Sequence, residues 1–273
     1  MGTQAVESGA GRVSSDNWSW SQDSISLVRR WPEPQIATFA AEPESLQVDI
    51  ARSALLVIDM QNDFLDPTGW FASVRGADVS ALSTVIPPIN ALSTAFRNKQ
   101  APVIHLNWGV RADLANLPAN VVDKGSSCGR AKGYGDSIES GDVLVQGSWG
   151  AASVSAIEKH ATDIDISKHR LSGFRDNELD QTLRRLGVST IFYTGVNLDR
   201  CVFATLMDGC FQGFDAVVVE DATTTVSPVS VSESITYLIR LLYGFTASSV
   251  DVLEALEVAE NTCMNTNAKE VNQ

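Results

Sequence analysis

The sequence predicts a three-layer α/β/α domain built on a parallel sheet of about six strands. Strand-sized apolar runs alternate with stretches of helical periodicity from about residue 50 onward. That order makes successive strands parallel and sends crossover helices to both faces. Several runs are nearly continuous rather than alternating, as strands covered on both faces should be. Three strand ends also lead to a reactive side chain, and open α/β sheets bind ligands at such ends. The fold expected is therefore Rossmann-like.

Taken in order, Ser53–Asp59 (SALLVID) is the first buried strand and ends in an acid. Ser80–Asn98 carries Val85, Ile86, Ile89, Leu92, Ala95 and Phe96 at helical spacing. Pro102–Asn107 is the second strand, Ala151–His160 a short helix, and Asp163–Lys168 the third strand. Asn177–Leu186 places Leu179, Leu183 and Leu186 on one helical face, with Gly187 as its C-terminal cap. Thr190–Thr194 is the fourth strand, Cys201–Gln212 a helix stopped by Gly213, and Ala216–Glu220 the fifth strand. Ser232–Tyr243 reads as a helix and Ser249–Leu253 as a sixth strand. Residues 1–50 stand apart as an N-terminal arm ahead of a domain over 51–273. Met1–Asp16 is polar and Gly/Ser-rich, which predicts disorder. Trp18, Trp20 and Trp31 imply packing on the body or on a neighbouring subunit. Little regular structure is expected before Val48. The irregular stretch Gly109–Gly150 has the length of a lid or binding loop.

Composition narrows the function. The 273 residues suffice for one large domain, and 44% hydrophobic with 19% charged residues is an ordinary globular balance. The longest apolar runs, such as Ala54–Ile58, fall far short of the roughly 18–20 residues a membrane-spanning helix needs. No secretory signal is evident, so a cytoplasmic protein is expected. A net charge of −13 argues against nucleic acid and anionic membranes as partners. The four cysteines include no Cys-x-x-Cys pair, and the three histidines show no ligand spacing. Neither a disulfide framework nor a metal or other cofactor is expected.

The chemistry converges on three strand ends. Asp59 ends the first strand, Lys168 the third, and the fourth runs through Thr194–Arg200 into Cys201 at a helix start. A helix N-terminus favours a thiolate, a carboxylate can take the thiol proton, and a lysine can hold that carboxylate. Backbone N–H groups in the Gly195–Arg200 turn are placed to receive an oxyanion. Each residue alone has an ordinary reading as strand cap, surface lysine or buried thiol. Their joint placement is what points to a site.

VIDMQNDF (Val57–Phe64), SKHRLSGF (Ser167–Phe174) and TGVNLDRCVFATLMDG (Thr194–Gly209) resemble the isochorismatase-like cysteine hydrolases over roughly Ser53 to Leu253. The resemblance implies Asp59 as general base, Lys168 as its partner and Cys201 as nucleophile. It implies a cis peptide at Val196–Asn197 and an oxyanion hole from the N–H groups of Asn197 and Cys201. Within that family the look is of enzymes cleaving small carbamoyl or ureide C–N bonds. Such a polar, planar substrate needs amide-reading groups, for which Asn107, Gln212 and Arg111 are candidates. Phe64, Trp70, Trp149 and Phe174 are candidate pocket walls. Arg200, beside the nucleophile, is placed either to hold a substrate carboxylate or to face solvent. Leu198-Asp199-Arg200, Asn197 and His169 depart from the family pattern and bear on substrate rather than chemistry. A nicotinamidase would need a second histidine near His105, and isochorismatase itself does not use a cysteine nucleophile. A binding protein on the same fold is the alternative of another class. Relatives assemble, so the resemblance also implies a homo-oligomer.

Overall fold

The computed structural model describes residues 17–29 and 31–258. Six parallel strands form the central sheet: β1 (Ser53–Ile58), β2 (Val103–Trp108), β3 (Ile164–Lys168), β4 (Thr190–Val196), β5 (Asp215–Thr224) and β6 (Phe245–Ala247). Their order across the sheet is β6-β5-β4-β1-β2-β3. Chain direction across the sheet therefore reverses between β1 and β4, and the crevice at that switch point is where such sheets bind ligands. Asp59 follows β1 and Cys201 follows β4, one on each side of it.

β1 and β4 are buried at every position, which explains their unbroken apolar runs. The helices are α1 (Asn62–Leu65), α2 (Trp70–Ser73), α3 (Ile86–Asn98), α4 (Ala119–Gly125), α5 (Leu179–Arg185), α6 (Phe203–Phe211) and α7 (Val229–Leu238). The helix expected over Ser80–Asn98 divides into a 3-10 turn, Ser80–Val85, and α3. Pro87 and Pro88 supply no N–H, so they sit in the first turn of α3, where donors are unpaired anyway. Among the described residues, no helix is long and apolar enough to cross a membrane.

Three expectations are corrected. Ala151–His160 is not helical. Its backbone bonds sideways to the segment after β1: Asn62 N–H donates to Ala152 O at 2.9 Å and Val154 N–H to Met60 O at 2.9 Å. The sixth strand is Phe245–Ala247, and residues 249–258 are helical instead. Ser248 Oγ accepts from Asp251 N–H at 3.1 Å, a side-chain cap that starts the helix there. The chain before Val48 is also more regular than expected. Ile36–Phe39 pairs antiparallel with Leu46–Asp49. Glu42 and Thr246 exchange backbone hydrogen bonds of 2.8 and 3.0 Å, which ties this hairpin to the β6 edge. Ala37, Phe39 and Val48 join the core. Farther out, Trp31 packs on the Arg52 guanidinium at 5.0 Å, while Trp18 and Trp20 remain exposed. Met1–Asp16 lies outside the described residues.

Gly195 permits the closest approach of β4 to β1. Its φ is +101°, and a Cβ there would lie 2.1 Å from Ile58 O. The contact is with backbone, so no side-chain motion relieves it. Gly195→Ala is expected to lower stability by about 2–4 kcal/mol, combining a left-handed backbone with forced strand separation. Denaturant unfolding measures it directly, and unchanged stability would contradict the packing described.

Candidate active site

The residue after β1 turns sharply. Asp59 has φ +53°, a left-handed conformation that costs an L residue of order 1 kcal/mol. Two backbone hydrogen bonds hold it there: its N–H donates to Leu106 O at 3.0 Å, and its carbonyl accepts from Gln61 N–H at 2.8 Å. The carboxyl is buried, as is the Lys168 side chain at the end of β3, and Lys168 Nζ lies 2.9 Å from Asp59 Oδ2. Breaking such a buried pair by removing one partner typically costs about 3–5 kcal/mol.

Trp108, the last residue of β2, links every member of this cluster. Its N–H is shared between Asp59 Oδ1 at 3.1 Å and Gln61 Oε1 at 2.8 Å. Its indole ring lies 4.3 Å beneath Lys168 Nζ, and its Nε1 donates to Cys201 Sγ at 3.3 Å. Gln61 Nε2 donates in turn to Trp108 O at 2.8 Å and Ala151 O at 2.7 Å, fixing the strand end. Cys201 is buried in a π-type turn, Leu198–Val202, directly before α6. Its thiol and the Asp59 carboxyl are close enough to shift one another's proton affinity. The Val196–Asn197 peptide is cis, at the position the family resemblance implies. Asn197 Oδ1 accepts from Val226 N–H at 3.1 Å, so its side chain is committed to the loop after β5.

The electrostatics differ from the expected thiolate. Burial, with the Asp59 charge second, pushes the Cys201 thiol up to about 12. Cys201 lies late in a buried turn rather than exposed at a helix start, so dehydration outweighs any benefit from the helix dipole. Burial also raises the Asp59 carboxyl. The Lys168 charge, the Cys201 thiol and the hydrogen bonds from Lys168 and Trp108 offset part of that rise. Burial thus favours the neutral thiol, while Lys168 works against the burial that favours the neutral Asp59 carboxyl.

A cavity of about 580 Å³ opens above the thiol. Phe64, Trp70, Asn197 and Arg200 reach it as expected, and Asp59 and Lys168 sit buried beside its floor. Five candidates lie outside its lining. Asn107 alternates with Trp108 along β2, so it faces the other side of the sheet and donates to Ser153 Oγ at 3.0 Å. Trp149 lies on the surface, 42% exposed. Phe174 packs on Phe214 at 5.6 Å. Gln212 caps the far end of α6. Arg111 is exposed and paired with Asp113 at 2.6 Å.

The sequence singles out Phe64, Trp70 and the stretch Gly109–Gly150, but not Phe71, Arg75, Lys124 and Tyr134, which complete the wall from the two excursions 64–77 and 109–150. Tyr134 stacks on Trp108, centroids 4.9 Å apart and planes at 17°. Arg75 and Lys124 stand at the mouth. Asp63 holds the two excursions together: Oδ1 accepts from Trp70 N–H at 3.1 Å, and Oδ2 from Leu144 N–H at 2.8 Å. Gly150 leaves space for that carboxyl, since a Cβ there would lie 2.1 Å from Oδ2. Period-two alternation would have found Trp108 once Asn107 was assigned outward. Tyr134 lies in irregular chain with no periodic signal. Among the described residues, no cluster of His, Cys, Asp and Glu could hold a metal ion.

A doubly wound sheet with a carboxyl, an ammonium and a thiol meeting at its switch point defines an α/β enzyme domain with a cysteine in its site. Residues 53–249 match the Isochorismatase domain, and the chain belongs to that family. It is 32% identical over 206 residues to ureidoacrylate amidohydrolase RutB of Yersinia enterocolitica (serotype O:8 / biotype 1B), covering 75% of this chain and 89% of that protein. An isochorismatase family protein from Desulfovibrio vulgaris subsp. vulgaris strain Hildenborough superposes with TM-score 0.60 at 29% identity, over 76% of this chain and 98% of its own. A cysteine hydrolase from Pseudomonas syringae pv. phaseolicola 1448A shares the fold, with TM-score 0.66 at 23% identity, over 78% and 95% of the two chains. The protein is thus an isochorismatase-family amidohydrolase, acting on amide C–N bonds.

Asp63→Ala is expected to raise amide hydrogen exchange selectively around Trp70 and Leu144, since both backbone donors lose their acceptor. Exchange unchanged at these two amides would contradict Asp63 as the tie between the excursions.

Proposed function

We propose that the protein hydrolyses a C–N bond of a small carbamoyl or ureide compound through a covalent intermediate on Cys201. The observation that carries the reading is the meeting, at one cavity floor, of the thiol with a carboxyl already paired to a buried ammonium. Likeness to a ureidoacrylate amidohydrolase supports the substrate class.

In this reading Asp59 is the general base. As Cys201 Sγ attacks the carbonyl carbon, the thiol proton passes to Asp59, so a free thiolate need not accumulate. The carbonyl π electrons move to oxygen, which the N–H groups of Asn197 and Cys201 receive. The C–N bond then breaks, and protonated Asp59 returns its proton to the departing nitrogen, giving ammonia or an amine. A water deprotonated by Asp59 attacks the acyl- or carbamoyl-cysteine. The C–S bond breaks, and the proton held by Asp59 restores the thiol. Lys168 keeps Asp59 ionised for the first step, and Trp108 fixes the thiol and carboxyl relative to one another.

Ammonia release from ureido acids, biuret, triuret, carbamoyl amino acids and nicotinamide tests this, with Cys201→Ala in parallel. Activity that disappears in the variant is expected. Equal activity would remove Cys201 as nucleophile. No release from any substrate would favour a binding role on the same fold.

The pH dependence follows from Asp59. Its carboxyl is raised from the ordinary carboxylate range, and Lys168 pulls it down. Only the ionised form can accept the thiol proton, so kcat/KM should fall on acidification through that raised value. Removing the cation raises it further. Lys168→Met is therefore expected to cost 100-fold or more in kcat/KM, on the order of 3 kcal/mol, and to move the acid limb to higher pH. A limb unmoved or shifted to lower pH would contradict the role given to Lys168.

A further inference from the structure

The mouth of the cavity carries an electrostatic signature that the hydrolytic cluster does not use. Three cations line it: Arg75 after α2, Lys124 in α4 and Arg200 beside the thiol. No carboxylate joins them in the lining, in a protein whose net charge is −13. Asp59 lies buried below and is already neutralised by Lys168.

The partners of the two guanidiniums leave them able to receive an anion. Arg75 Nη1 donates to neutral acceptors, Ser127 Oγ at 2.5 Å and Gly125 O at 3.5 Å. Among the described residues no carboxylate forms an ion pair with it. Its guanidinium lies 5.6 Å from the centre of the Trp70 ring. Arg200 is set over Phe71 at 5.7 Å, donates to Ser227 Oγ at 3.2 Å, and keeps only a long 3.6 Å contact with Asp199. From Arg75 a row of rings runs to the thiol: Trp70, then Tyr134 at 5.5 Å, then Trp108 at 4.9 Å, whose Nε1 reaches Cys201 Sγ. Tyr134 lies within electrostatic reach of both guanidiniums and of the Asp59 and Cys201 groups. The three cations and the thiol therefore line one space, with Arg75 and Lys124 exposed at its rim, Arg200 half-buried and Cys201 buried.

We propose that Arg75, supported by Lys124 and Arg200, is a specificity determinant that reads a carboxylate on the substrate, so that the enzyme selects small ureido or carbamoyl acids over uncharged diamides. The inference rests on the hydrolytic reading above for its cleaved bond, but its charge argument is independent of turnover. A planar guanidinium binds a carboxylate through two parallel N–H donors, which an ammonium cannot reproduce. Cations focused at a cleft mouth also draw an anion in, with a dependence on ionic strength that a neutral ligand lacks.

Binding to the Cys201→Ala protein separates this from catalysis. Calorimetry would compare N-carbamoyl-β-alanine with its uncharged amide, 3-ureidopropionamide. The acid is expected to bind at least tenfold more tightly, and its affinity to fall with added salt. Arg75→Gln should weaken the acid tenfold or more and leave the amide within twofold, and Arg75→Lys should recover only part of the loss. Equal affinity for acid and amide would overturn the proposal, as would equal weakening of both by Arg75→Gln, which is what a purely structural role in holding Ser127 and Gly125 would produce. Selective acid binding without ammonia release by the wild type would sustain the anion site and sink the hydrolytic reading.

Discussion

The buried ion pair between Asp59 and Lys168 is the constraint around which the site is organised. Two charges taken from water at the ends of β1 and β3 cost several kcal/mol each unless they meet. These strands are not neighbours: β2 lies between them. Adjacent strands are about 4.8 Å apart, so the two ends are separated by roughly 10 Å. A lysine can bridge that distance where a shorter cation could not, provided the residue ending β2 allows it to pass. Trp108 does so by lying flat beneath the ammonium and by giving its N–H to Asp59. Pairing of β1, β2 and β3 in the correct register is thus a condition of neutralising the pair.

The thiol depends on the same pair. A cysteine sealed in a dry pocket beside a carboxylate resists ionisation, and Cys201 is held at about 12 for that reason. In the proposed reaction the surroundings instead supply an acceptor for the proton at the moment a carbonyl is attacked. Without Lys168, Asp59 would itself be protonated more readily, and the proposed proton transfer would lose its acceptor. The strained turn at Asp59 belongs to the same arrangement. Its left-handed backbone is tolerated because bonds to Leu106 and Gln61 hold it in place.

Legibility in the sequence follows from periodicity. The first five strands, α5 and the convergence of Asp59, Lys168 and Cys201 could all be read, because buried parallel strands are written as unbroken apolar runs and their ends are predictable. The strand assigned at Ser249–Leu253 failed because a Ser248 cap starts a helix there, a local hydrogen bond that hydrophobicity does not encode. The helix assigned at Ala151–His160 failed because its backbone partners lie about ninety residues away, beside Gln61 and Asn62. The state of the thiol was misjudged for a third reason. A helix start is visible in sequence, but burial strong enough to override it is a property of packing. The cavity walls were half found: Phe64 and Trp70 lie close after β1, whereas Tyr134 and Lys124 belong to a long loop without a repeat.

That division has a physical consequence for how the enzyme can change. The Asp59, Lys168 and Cys201 cluster hangs on strand ends whose register is fixed by the core, so its geometry tolerates little alteration. Arg75 and Lys124 are exposed side chains on two excursions that Asp63 ties to one another. Substituting Arg75 or Lys124 alters charge at the entrance without touching the Asp59–Lys168 pair or the thiol. The charge at the entrance can therefore change while the Asp59, Lys168 and Cys201 cluster stays fixed, because Arg75 and Lys124 are exposed side chains and the cluster is held by the buried strand ends.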